Sequence, residues 1–63
     1  MCEATAYILK GEKEEILLEG VDLVEPEPDG SIRLVSIFGE QKVVRANIKR
    51  LELVDHKIIL ELT

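Results

Sequence analysis

Turn signals recur along this chain at short, regular spacings, and they leave little room for anything but strands. They fall at Lys10-Gly11-Glu12-Lys13, Glu25-Pro26-Glu27-Pro28-Asp29-Gly30, Gly39-Glu40-Gln41 and Asp55-His56-Lys57. Short polar clusters of this kind between β-branched runs mark an all-β domain. In the first segment, Cys2 to Leu9, Ala4, Ala6 and Ile8 alternate with Thr5, Tyr7 and Leu9, the period of two of a strand. Ile16–Leu18 and Val21–Val24 form a second apolar stretch, interrupted at Glu19-Gly20, where a glycine signals a bulge or bend. Ile32, Leu34, Ser36 and Phe38 share one face of a third strand. Val43–Ile48 is expected to pair with it across Gly39-Glu40-Gln41. Leu51, Leu53, Ile58, Leu60 and Leu62 supply two further alternating runs, joined by a two-residue turn at Asp55-His56.

A helix over Glu40–Val54 is excluded by the same test. Val43, Val44, Ala46, Ile48, Leu51 and Leu53 fit a period near two better than 3.6. The expectation is one domain spanning residues 1–63: a strongly bent small sheet or SH3-like barrel of about five to seven short strands. At 63 residues, such a domain buries only roughly 60% of the surface of its unfolded chain. With a single cysteine it cannot form an internal disulfide. Aromatics are 3% of residues, so the core must be aliphatic. Strands with apolar residues on both faces and no helix to cover them favour a symmetric homodimer.

Charge narrows the function classes. Eight Lys and Arg stand against thirteen Asp and Glu, for a net charge of -5. That balance disfavours phosphate-backbone binding, although Lys42, Arg45, Lys49 and Arg50 form a local basic cluster. The cluster lacks the interleaved aromatics on which bases stack. No apolar run approaches the ~18 residues of a membrane span. The opening MCEATAYILKGEKEE has neither a basic n-region nor a long apolar h-region. A lone cysteine without an export signal points to the reducing cytoplasm.

Few residues carry chemistry. Gly11, Gly20, Gly30 and Gly39 are isolated turn glycines and build no phosphate loop. The acidic series from Glu12 to Asp29 lacks the spacing of a calcium loop and reads as a solvated surface. No catalytic triad is spaced in the sequence, so the residues give no case for an enzyme. His56 sits in a turn, where Asp and His tolerate unusual backbone angles.

Cys2 is the exception. Methionine before a small residue is the usual setting for removal of the initiator, which leaves cysteine as the N-terminus. Such a residue offers a thiolate and a free α-amine that together close a five-membered chelate. Two copies meeting on a two-fold axis would supply paired sulfur and nitrogen donors. A planar set of that kind suits Ni(II) or Cu(II), whereas structural zinc takes a closed tetrahedron.

Met1-Cys2-Glu3-Ala4, Val21-Asp22-Leu23-Val24-Glu25, Leu34-Val35-Ser36-Ile37-Phe38-Gly39-Glu40 and Val54-Asp55-His56-Lys57-Ile58 together resemble the CooT family. These are small nickel-binding proteins associated with maturation of carbon monoxide dehydrogenase. The resemblance implies a homodimer of small β-domains that binds one Ni(II) between two copies through Cys2, with His56 as an accessory metal position. It also implies a nickel chaperone with a metalloenzyme client. Members of the family have been labelled RNA-binding proteins as well, and an RNA-binding β-barrel using the basic cluster is the alternative.

Overall fold

The chain reverses at each of its turn signals, and the segments between them become strands. The computed structural model describes residues 3–62. These form β1 (Ala4–Lys10), β2 (Lys13–Pro26), β3 (Ile32–Ser36), β4 (Gln41–Val44), β5 (Ala46–Glu52) and β6 (Lys57–Leu62). Among the described residues there is no helix, and so none long and apolar enough to cross a membrane. All six strands lie in one sheet, in the order β4-β3-β2-β1-β6-β5. The first four form an antiparallel meander and β5 and β6 a hairpin, which joins the meander by parallel pairing of β6 with β1.

Partners in register share a face of a sheet, which fixes where the core lies. Ala6 stands opposite Leu18 on one side and Ile58 on the other, Ile8 opposite Leu60, and Val24 opposite Leu34. That is the buried face: Ala6, Leu34 and Leu60 are each 0% exposed. Ile32 of β3 and Ala46 of β5 belong to the same apolar cluster, although three strands separate them in the sheet. The sheet therefore curls until its outermost strands approach, and those strands, β4 and β5, are linked by Arg45 alone. Its guanidinium donates to the Asp29 carbonyl at 3.1 Å, holding this corner against the β2–β3 loop. β4 and β5 do not pair, so the sheet stays open. The all-β expectation holds, with six strands, but a closed SH3-like barrel is not formed.

Gly20 bends the longest strand. Its φ is +68°, a left-handed conformation natural to glycine. The ladder is irregular on both of its sides, between Ala4 and Ala6 of β1 and between Val21 and Leu23 of β2. A Cβ here would lie 3.3 Å from the Phe38 ring and 3.4 Å from the Ile37 side chain. The apolar stretch that looks interrupted in the sequence is thus one strand of fourteen residues with a kink.

The outward face is not left bare. Arg50, Ile59, Tyr7 and Ile16 stand in one row across β5, β6, β1 and β2. Arg50 donates to Glu52 at 2.6 Å and to Glu14 of β2 at 3.0 Å. Because β6 and β1 lie between β5 and β2, the Arg50–Glu14 pair arches over them, and Ile59 beneath is 0% exposed. The Lys57 ammonium sits 5.2 Å from the centre of the Tyr7 ring, a cation–π contact on the same face.

The β3–β4 turn has its own clamp. The Ser36 hydroxyl oxygen accepts from the amides of Phe38 and Glu40, both at 3.1 Å, and Ser36 is buried. Replacing it with alanine strands two turn amides, so Ser36→Ala should lower stability by about 1–2 kcal/mol. With a urea slope of roughly 1 kcal/mol/M for so small a domain, the midpoint should fall by about 1 M or more. An unchanged midpoint would show that water replaces the hydroxyl without loss.

Three local expectations are corrected. Gln41–Val44 pairs with β3, but from Ala46 the chain leaves it to pair with β6; Val43–Ile48 is therefore not one strand. Phe38 lies beyond the end of β3 and is 82% exposed, although Ile32, Leu34 and Ser36 do share the buried face. The β5–β6 connection is four residues, Leu53 to His56, so Leu53 belongs to the turn.

Candidate metal centre

Parallel pairing places the beginnings of two strands at the same end of a sheet. Here it brings the start of β1 beside the start of β6. The Thr5 amide donates to the His56 carbonyl at 2.9 Å, and the His56 amide donates to the Leu53 carbonyl at 3.3 Å. The β5–β6 turn is thereby fastened to the first residues of β1. His56 has a φ of +55°, the non-glycine left-handed residue expected of a turn histidine.

Cys2 lies outside the described residues. It precedes Ala4 by two positions in the sequence. The two residues singled out for metal binding stand near opposite ends of the sequence, yet the fold fastens His56 to Thr5, three positions after Cys2. No spacing rule in the sequence carries the contact of His56 with Thr5.

Among the described residues there is no group of three or more His, Cys, Asp or Glu arranged to hold a metal ion. The acidic series is spread along β2 and the loop after it, and parts of it serve structural ion pairs. Arg33 reaches Glu25 at 2.5 Å and Glu27 at 3.3 Å. The Asp29 carboxyl is held below its ordinary range, chiefly by the Ser31 hydroxyl at 2.6 Å and then by the Ser31 amide.

The basic cluster is largely spoken for. Lys49 lies 3.8 Å from Glu61, Arg50 is bound to Glu52 and Glu14, and Arg45 is held on the Asp29 carbonyl. Glu52 sits below its ordinary range, first through its hydrogen bond from Arg50. These cations neutralise neighbouring carboxylates of their own fold, which leaves less field for a phosphate backbone.

Beside the start of β1 lies an open apolar groove of about 520 Å³. It is lined by Ala4, Val24, Ile48, Leu51, Leu53 and Ile58, with His56 and Lys57 its two polar lining residues. Ile48 and Leu51 stand opposite Leu60 and Ile58 in register, so both belong to the core-facing side of β5. They remain 41% and 51% exposed because β5 is an edge strand and the sheet does not close over it. The sequence presents Leu51 and Leu53 as ordinary alternating strand residues. Which strand ends at an open edge is invisible in a local pattern.

The comparisons with known proteins agree with one another. The family model described as CO dehydrogenase accessory protein CooT matches residues 1–61. A crystal structure assigned to CooT from Carboxydothermus hydrogenoformans superposes with a TM-score of 0.90 at 55% sequence identity, covering 98% of each chain. No curated protein sequence matches this chain.

Proposed function

The chain belongs to the CooT family of CO dehydrogenase accessory proteins, and from that premise we propose that it is a cytoplasmic Ni(II) carrier for maturation of such an enzyme. Nickel is its cargo. The ion is held between two copies of the chain, each giving the thiolate and, once Met1 is removed, the α-amine of its Cys2. His56 is an accessory position, available because its turn is tied to the start of β1 through Thr5. Delivery is ligand exchange to the client and requires no catalysis by the carrier. The acidic surface keeps the carrier soluble and steers it toward a basic partner.

The observation that carries this reading is the family match across residues 1–61, a span that includes Cys2. The competing RNA-binding reading draws on Lys42, Arg45, Lys49 and Arg50, of which Lys49 and Arg50 are paired with carboxylates of the fold and Arg45 is held on the Asp29 carbonyl. Native mass spectrometry of the chain lacking Met1, titrated with Ni(II), tests the proposal. One ion per two chains is the expected product. A chain that takes up no Ni(II) at any ratio, or one ion per monomer with no dimer, overturns it.

A further inference from the structure

The chain has a single phenylalanine, and the fold does not use it as core. Phe38 lies two positions beyond β3 and is 82% exposed, while the largest fully buried side chains are the aliphatic Leu34, Ile59 and Leu60. Nor is it loosely held. The Ser36 hydroxyl accepts from the Phe38 and Glu40 amides, and the Gly39 amide donates to the Ser36 carbonyl at 3.0 Å. The Ile37 amide donates to the Gly20 carbonyl at 2.8 Å, and the Phe38 ring rests against Gly20, within 3.3 Å of where a Cβ would stand. An aromatic fixed on a clamped turn loses little conformational freedom when a partner covers it, which suits it to anchor an interface.

Charge defines the kind of partner. Glu19 adjoins Gly20, Asp22 follows it by two positions, and Glu40 follows Phe38 by two; all three are exposed. Among the described residues none of these three carboxylates is ion-paired, the ion pairs of the fold being made with Glu14, Glu15, Glu25, Glu27, Glu52 and Glu61. An aromatic tip flanked by unneutralised carboxylates is complementary to an apolar pocket with a basic rim. It is not complementary to a second copy, because a two-fold contact through this turn brings the same carboxylates face to face. Nucleic acid and anionic lipid carry the wrong sign as well. Register supplies the position. Ala4, Val21 and Ser36 stand in one row across β1, β2 and β3, so the end of β3 lies two strand spacings, about 10 Å, from the start of β1.

We infer that the turn carrying Phe38 is the surface by which the chain docks on its client enzyme, with Phe38 entering an apolar pocket whose rim carries lysines or arginines and Glu19, Asp22 and Glu40 meeting that rim. This rests on the client proposed above and says which surface meets it. A client held there abuts the start of β1, the end of that strand nearest Cys2 in the sequence. The buried ring sets how long the complex lasts, and the flanking charges set how fast it forms.

The test is surface plasmon resonance of the full chain over immobilised CO dehydrogenase prepared without nickel, for the wild type, Phe38→Ala and the double variant Glu19→Lys with Glu40→Lys. Circular dichroism, sedimentation and a Ni(II) titration accompany each protein. Phe38→Ala should bind the enzyme at least about 30-fold more weakly, chiefly through faster dissociation, as for a buried interface anchor. The double variant should associate at least about tenfold more slowly at low salt, with the difference shrinking as salt is raised. Fold, mass in solution and Ni(II) uptake should match the wild type in both. A folded Phe38→Ala that binds the enzyme as the wild type does overturns the inference, as does a wild type that does not bind the enzyme. So does a Phe38→Ala whose mass in solution falls, which would make the turn a contact between copies. The carrier reading is judged separately. A wild type that docks through Phe38 yet takes up no Ni(II) upholds the surface and removes the carrier. A nickel-loaded wild type whose docking is indifferent to Phe38→Ala does the reverse.

Discussion

Cys2→Ser is expected to weaken Ni(II) binding by more than about 100-fold, a loss of about 2.7 kcal/mol, without disturbing the sheet. The alcohol of serine does not ionise near neutral pH, so the substitution removes the soft anionic donor of the proposed site while the α-amine remains. In a shared site it removes two such donors at once. The described strands begin at Ala4, so the change touches none of the core or ladder positions. Circular dichroism should therefore be unaltered while calorimetry loses its Ni(II) signal. Equal affinity in the two proteins would sink the assignment of Cys2. Acidity provides an independent check. Capture of the ion releases the thiol proton, and an ordinary cysteine thiol titrates near ~8.5. Below that value, apparent affinity should drop by about tenfold per pH unit for each thiol engaged, or about 100-fold when two engage together. A pH-independent affinity between pH 6 and 8 would indicate ligands other than thiolates.

Leu34→Ala is the substitution expected to unfold the domain. Leu34 is 0% exposed, stands opposite Val24 in β2, and is one of the largest fully buried side chains. Truncating a buried leucine costs about 2–5 kcal/mol, the spread reflecting how far the site collapses. A chain of this length holds only about 3–9 kcal/mol in total, at 0.05–0.15 kcal/mol per residue. The expected result is a melting temperature lower by at least about 8 °C, since 1 kcal/mol moves a domain of this size by about 4–8 °C. A shift under about 3 °C would show that the curled sheet closes over the missing methyl groups, and that the core is less tightly packed than its exposures imply.

The contrast between these two positions shows what can be read from a sequence like this one. Leu34 is legible as core, because Ile32, Leu34 and Ser36 alternate with Arg33 and Val35 and a strand of that pattern has one inward face. Gly20 and His56 are legible as backbone singularities, because a glycine inside an apolar run and an Asp-His pair between two strands mark places where φ becomes positive. Both do. By contrast, Phe38 continues the alternation of β3 in the sequence, yet it falls outside the strand and lies over Gly20. Ile48 and Leu51 have the pattern of core residues and remain half exposed.

Local periodicity and turn chemistry settled the strand character, the aliphatic core and the bend at Gly20, because each depends on neighbours within a few positions. The pairing partners were decided by tertiary structure. β6 could have continued a meander, but it lies parallel beside β1, and that choice alone brings His56 to Thr5 and the groove to Ala4. The open edge at β5 is likewise a property of the whole sheet, set by how far six strands curl before the Arg45 corner joins the last two. Contacts between distant segments follow from burying one face in three dimensions, and no window of sequence contains that constraint.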